Sequence, residues 1–384
     1  MRFEFATSER IIFGAGTISK VGALAAKMGS RAFVVSGVME ECYQKLLPRL
    51  SENGIVSKLY PVDGEPNVSF IQQGINLSRD AECDMIIGFG GGSAIDTGKA
   101  IAALMTNEGD IYDYLEVIGL GYPIEKAPLP YIAIPTTAGT GAEVTRNAVI
   151  GSPDHKVKVS LRSSIMYPKL ALIDPELTYS LPPQVTASTG MDALTQVLEP
   201  YVSKMANPMI DSICKEGMCF AASSLLRAYK DGEDHEAREK MSLVSLFGGL
   251  SLANAKLWAV HGFACPLGGM YDAPHGAVCA RLLPPVMATN IKAIKSRQPN
   301  HQSLKRFDKI AEFLTGDESA KAEDGVGWVQ QLREDLNIPP LSVYGVKHDD
   351  FSTIIKNAVR ASSMKGNPIE LTQNELLEIL EEAV

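Results

Sequence analysis

Histidine and tryptophan are scarce in this chain, six and two among 384 residues, and its six cysteines are scattered singly. Cys42, Cys83, Cys214, Cys219, Cys265 and Cys279 contain no CxxC pair, and a chain of this length has no need of disulfide staples, so a disulfide scaffold is excluded and reduced thiols are expected. No apolar run reaches the roughly 18 residues of a membrane span. The opening segment, MRFEFATSERIIFG, lacks the basic flank, apolar core and small-residue cleavage site of an export signal, so a cytoplasmic protein without a membrane partner is expected. Positive charge is also in deficit. With 36 Lys and Arg against 45 Asp and Glu, the net charge of −9 argues against nucleic acid or an acidic membrane as partner and favours a small molecule.

What is present is the composition of a soluble enzyme, 45% hydrophobic and 21% charged, and 384 residues imply two domains. In the first half, short β-rich runs at Ala32 to Ser36, Met85 to Gly88, Tyr131 to Pro135 and Leu170 to Asp174 alternate with helical patterns such as Glu40 to Asn53. That βα rhythm predicts a doubly wound parallel sheet of the dinucleotide-binding kind. From about Thr186 the sequence offers long helical segments, Asn207 to Tyr229, His235 to Asn254 and Ser303 to Thr315, with little strand signal. Pro182 and Pro183 mark the expected junction between an α/β domain, 1–182, and an all-helical domain, 183–384, with a ligand in the cleft between them.

Two loops of the first half are candidates for nucleotide binding. In FGGGSAIDTGKAIAALM, Gly90, Gly91 and Gly92 follow a strand and lead through Ser93 into a helix. Consecutive glycines admit a phosphate close to the backbone, and the helix adds free N–H groups and the positive end of its dipole. The alternative is a plain strand-to-helix turn, since the segment is neither GxGxxG nor GK[ST]. PTTAGTGAEVT, from Pro135 to Thr145, either lines the cofactor with hydroxyls and amides or is a solvated loop.

His155, His235, His301 and His348 fall in polar segments and read as surface residues, whereas His261 and His275 flank the apolar HGFACPLGGMYDAPHG, where an imidazole needs a partner or an ion. Asp192, in TGMDALTQVLEPYVS, lies four residues before Gln196 and shares its helical face. One Asp and two His suit a catalytic divalent metal; alternatively, Asp192 is a carboxylate at a helix N-terminus, favoured by the dipole.

Taken in order, GGGSAID, IPTTAGTGAEVT, TGMDAL and the His261 to His275 region closely resemble the iron-containing (group III) alcohol dehydrogenases, over roughly residues 8 to 290. The resemblance implies that fold, shared with dehydroquinate synthases, and an NAD- or NADP-linked dehydrogenase of a small alcohol/aldehyde pair, working as a homodimer or larger homo-oligomer. It implies Gly90, Gly91, Gly92 and Ser93 at the pyrophosphate, Asp96, Thr136, Thr137, Thr140, Thr145 and Lys158 along the rest of the dinucleotide, and Asn147 toward the nicotinamide. Asp192, His261 and His275 match three of the family's four metal ligands.

The chain departs from the family at three places. The fourth ligand, a histidine, is replaced by Gln196, a weaker donor that lowers affinity for Fe²⁺; the related glycerol dehydrogenases hold Zn²⁺ with one Asp and two His. A further histidine, a candidate proton relay, is replaced by Cys265, which either packs or acts as a thiol. At the end of the Ala32 to Ser36 strand many members carry an aspartate that repels a 2′-phosphate; here Gly37 follows Ser36, which admits NADP beside NAD. Lys256 and Trp258 stand where glycines are common, so a narrower, more positive pocket and an anionic short aldehyde are expected. The competing readings are a metal-independent reductase like the maleylacetate reductases, a dehydroquinate synthase-like lyase, and a nucleotide-binding protein without turnover.

Overall fold

The structure, a computed structural model, describes residues 2–37, 40–62, 64–155 and 157–384. It divides into two compact units, each with its own core. One comprises 6–137 and 141–180; the other comprises Leu181–Val384 together with 138–140 and the N-terminal residues up to Phe5.

The first unit is built on a six-stranded sheet: β1 (Ile11–Phe13), β2 (Arg31–Ser36), β3 (Val56–Pro61), β4 (Met85–Gly90), β5 (Tyr131–Pro135) and β8 (Leu170–Ile173). The order is β1-β8-β5-β4-β2-β3, every pairing parallel. Throughout β4, β5 and β8 the residues are buried, as helices on both faces require, and this is why these strands read as unbroken apolar runs. The edge strands β1 and β3 carry few buried side chains and gave little signal. β6 (Asn147–Ser152) and β7 (Val157–Arg162) form a separate antiparallel ribbon. The stretch from Glu40 to Asn53 is not one helix but two short ones, Glu40–Tyr43 and Leu47–Glu52, with Pro48 in the first turn of the second, where its missing N–H is harmless.

The direction of strand succession reverses between β2 and β4, and at such a reversal the carboxyl ends of parallel strands open a crevice. The register brings the candidate loops to that edge: Ser36 pairs with Phe89 and Gly90 with Pro135.

The second unit is helical. Pro183–Val202, Pro208–Lys230 and His235–Ala255 pack together, and Ala259–Met270, His275–Arg297, Gln302–Thr315, Ala322–Asp335, Phe351–Arg360 and Gln373–Ala383 complete it. Among the described residues no single helix is long and apolar enough to cross a membrane.

Candidate metal centre and nucleotide loop

In the helical unit, three helices converge on a buried carboxylate. Asp192 lies near the middle of Pro183–Val202, so the alternative of a helix N-terminal carboxylate does not apply. Its side chain is almost wholly buried and Oδ1 has no hydrogen-bond partner. Around that oxygen stand His261 Nε2 at 3.3 Å and His275 Nε2 at 3.7 Å. Cys279 Sγ lies 3.8 Å from His261 Nε2 and 3.6 Å from His275 Nε2. All four donors fall within 4.8 Å of one another.

Local sequence explains the convergence. His275 opens its helix after Pro274, and a Cβ on the next residue, Gly276, would come within 2.2 Å of the Ser188 carbonyl oxygen. Only glycine lets the helix of His275 approach the helix of Asp192 so closely. His261 is placed by Glu199, two helical turns beyond Asp192. One carboxylate oxygen of Glu199 accepts from the Val260 amide at 2.8 Å, the other lies 2.6 Å from His261 Nδ1, and its backbone carbonyl accepts from the Trp258 indole. Glu199 thereby accepts the Nδ1 proton and sets Nε2 toward Asp192, where an ion can replace the proton on that nitrogen.

The electrostatics fit a cation. Burial alone would disfavour charged imidazoles, yet Cys279, Glu199 and Asp192 raise the pKa of His261 well above the ordinary histidine value, and Cys279 and Asp192 raise that of His275. Burial likewise works against the Asp192 carboxylate, but His275, His261 and Gln196 hold its pKa below the usual range. An unpaired carboxylate oxygen at the focus of two imidazoles, with Asp192 and His261 buried, fits the donor set of a divalent ion.

Gln196 is buried beside Asp192 and donates through Nε2 to the Gly139 carbonyl at 3.4 Å; its Oε1 has no hydrogen-bond partner. Cys265 is half-buried one turn after His261. Trp258 does not narrow a pocket: it is fully buried, edge-on to Phe307 at 6.1 Å, and belongs to the core. Lys256 is exposed at the end of His235–Ala255.

In the α/β unit, β4 runs into Gly90, and Gly92–Thr106 is the helix that follows. Gly90 has φ 155°, and a Cβ there would stand 2.8 Å from Ala94 Cβ and 2.9 Å from the Gly37 nitrogen. The amide of Gly37 donates to Phe89 and that of Thr136 to Gly90, so the ends of β2, β4 and β5 are stitched together around the glycines. Gly91, Gly92 and Ser93 remain partly exposed at the helix N-terminus, and Thr137 packs beside Gly91. This is a cradle that side chains would fill, and it fits a pyrophosphate.

Other expected cofactor residues have structural partners. Asp96 Oδ2 accepts from the Val149 amide at 3.0 Å, and its other oxygen lies 3.6 Å from the buried Lys99 ammonium. Lys99 donates to the Ala142 carbonyl, Thr145 Oγ1 and the Asn147 carbonyl at 2.8, 2.9 and 2.8 Å. Lys158, on β7, pairs with Glu65 at 3.3 Å. Thr140 belongs with the helical unit. Sequence reading passed over Lys99, Glu199 and Cys279. For the last two the signal was there: Glu199 follows Asp192 by seven residues, Cys279 follows His275 by four, and both spacings return to the same helical face.

Comparison with known proteins shows the family. Residues 8–175 match the model of the iron-containing alcohol dehydrogenases and residues 186–384 that of the C-terminal part of the Fe-containing alcohol dehydrogenase family. Alcohol dehydrogenase 4 of Saccharomyces cerevisiae is 36% identical over 88% of this chain and 86% of its own. The crystal structure of a 1,3-propanediol oxidoreductase superposes with a TM-score of 0.92 at 33% identity, covering all of both chains. A sulfoacetaldehyde reductase from Bifidobacterium kashiwanohense, solved with NAD⁺, gives 0.86 at 27% identity over 100% of this chain and 99% of its own. With the carboxylate-bis-imidazole pocket and the triple-glycine loop both in place, the chain belongs to the iron-containing alcohol dehydrogenase family and is an oxidoreductase.

Proposed function

We propose that this protein is a metal-dependent, nicotinamide-linked dehydrogenase that interconverts a small alcohol and its aldehyde. The observation that carries the reading is the unpaired Asp192 oxygen facing the Nε2 atoms of His261 and His275. Those three residues would hold the ion, Fe²⁺ or Zn²⁺, and Gly90 to Ser93 the cofactor pyrophosphate. When bound, the ion supplies Lewis acidity toward the substrate oxygen and the nicotinamide supplies or accepts the hydride.

The chain's own residues prepare that chemistry. Asp192 contributes negative charge that offsets the ion's. Glu199 keeps the His261 proton on Nδ1, so the imidazole acts as a neutral donor. The burial of Asp192 and His261 excludes water from one side of the site. The NAD⁺-bound sulfoacetaldehyde reductase supports NAD as cofactor, and Gly37, offering no carboxylate to a 2′-phosphate, leaves NADP admissible. With Trp258 in the core, Lys256 alone carries the preference for an anionic short aldehyde. The same reductase supports that preference. A homodimer or larger homo-oligomer in the cytoplasm completes the reading.

The test is metal analysis of the purified protein with aldehyde-dependent oxidation of NADH and NADPH, before and after stripping and restoring Fe²⁺ or Zn²⁺. Activity that disappears and returns with one ion supports the proposal. Undiminished activity without metal overturns it in favour of the maleylacetate-reductase-like alternative.

A further inference from the structure

Resting on the metal site just proposed, we infer that Cys279 is a ligand of the ion, its thiolate replacing the histidine that the family places at position 196. The argument begins with the donor that is missing. Gln196 cannot supply a nitrogen, because an amide nitrogen has no basic lone pair, and its oxygen, although without a hydrogen-bond partner, is a neutral and weaker donor than imidazole or thiolate. That leaves Asp192, His261 and His275 as the strong donors, one short of the family's four.

Cys279 stands where a fourth donor is needed. It lies one helical turn after His275, on the face toward Asp192, is fully buried, and its sulfur is near both imidazole Nε2 atoms. Four of the six separations match a common ion, and the other two lie within 4.8 Å. Four donors around one zinc-like centre, with bonds of about 2.0–2.1 Å to nitrogen or oxygen and about 2.3 Å to sulfur, stand about 3.4 Å apart for nitrogen and oxygen pairs and about 3.6 Å for nitrogen and sulfur. The observed values are 3.3 and 3.7 Å from Asp192 Oδ1 to the imidazoles, and 3.6 and 3.8 Å from the sulfur to them. Without an ion the same contacts are S–H···N hydrogen bonds; with one, the sulfur sits at ligand distance from both imidazoles.

The set becomes Asp, two His and Cys. The number of protein ligands that the family provides is preserved, and the thiol proton is released to solvent as the ion binds. A thiolate is a softer donor than imidazole, so the site favours Zn²⁺ over Fe²⁺.

The full-length protein loaded with Co²⁺ tests this without reference to turnover, since a thiolate on Co²⁺ gives a charge-transfer absorption in the near ultraviolet. The wild-type protein is expected to show that band at one Co²⁺ per chain. Cys279→Ser and Cys279→Ala are expected to lose it, and to bind Zn²⁺ more weakly by at least the roughly 10–100-fold that loss of a supporting residue costs. Stoichiometric Co²⁺ without the band overturns the role of Cys279 and leaves the metal site standing. A band that survives in both variants assigns the sulfur elsewhere and also overturns it. Failure of the wild-type protein to bind either ion removes this inference and the proposed function together. The wild-type spectrum decides the first of these outcomes even if a variant folds poorly.

Discussion

Glu199 Oε2 lies 2.6 Å from His261 Nδ1, so a carboxylate buried two turns beyond Asp192 on the same helix decides which imidazole nitrogen faces the metal pocket. Supporting carboxylates of this kind typically contribute 10–100-fold to metal affinity. Glu199→Gln should weaken Zn²⁺ binding by about that factor while leaving the fold intact, because the amide oxygen can still accept from the Val260 amide. A chelator competition titration reads the effect; unchanged affinity would mean that the helix backbone alone orients His261.

Lys99 is the buried cation that ties the helix after the glycine loop to the segment from Ala142 to Asn147. Lys99→Met should destabilise the protein by about 3–5 kcal/mol, since it strands two carbonyls and the Asp96 carboxylate. Adding Asp96→Asn should recover part of the loss, as coupled partners do not add. Denaturant melts of the single and double variants test this, and a single-variant loss below about 1 kcal/mol would sink the idea.

Glu143 is fully buried, and burial pushes its pKa up to about 7, although its own backbone amide and Lys99 act in the opposite direction. In the unfolded chain it titrates at the ordinary glutamate value of roughly 4.3. The folded protein therefore holds the proton more tightly. This contribution to stability is complete below the unfolded pKa and is lost as pH rises to about 7, amounting to a few kcal/mol. In melting temperatures measured from pH 5 to 8, the wild-type protein should lose stability relative to Glu143→Gln as pH rises. Parallel curves would refute the assignment.

Lys256 occupies φ 58° and ψ 150°, a conformation that only glycine adopts without strain. The strain of about 1–3 kcal/mol exceeds the roughly 0.5–1 kcal/mol of chain entropy that a glycine adds to the unfolded state. Lys256→Gly should thus raise stability by about 1 kcal/mol and, if the ammonium selects anionic aldehydes, lower kcat/KM for them relative to neutral ones. A melting curve and paired kinetics on charged and uncharged substrates separate the two effects.

The sheet was largely legible because β2, β4, β5 and β8 lie within it and bury nearly every residue, which writes them as apolar runs. The edge strands β1 and β3 and the β6–β7 ribbon escaped, since strands with solvent beside them carry a diluted pattern. At the site, Asp192, His261 and His275 stood out as polar residues in apolar surroundings. Cys279 shares a helical face with His275 by its spacing, but a buried cysteine also packs like any small apolar residue, so the spacing alone did not single it out. Trp258 misled for the converse reason: a large aromatic near a ligand can line a pocket or a core, and only packing tells which.

Every donor of the carboxylate-imidazole-thiol cluster lies in the helical unit, and every glycine of the phosphate loop lies in the other. An ion and a dinucleotide held there would each stabilise the folded chain through contacts in a different unit. By mass action each contributes about 2.7 kcal/mol at a hundred times its dissociation constant, entering through its own unit. Loss of the ion would therefore remove its contribution to the folded state without touching that of the nucleotide.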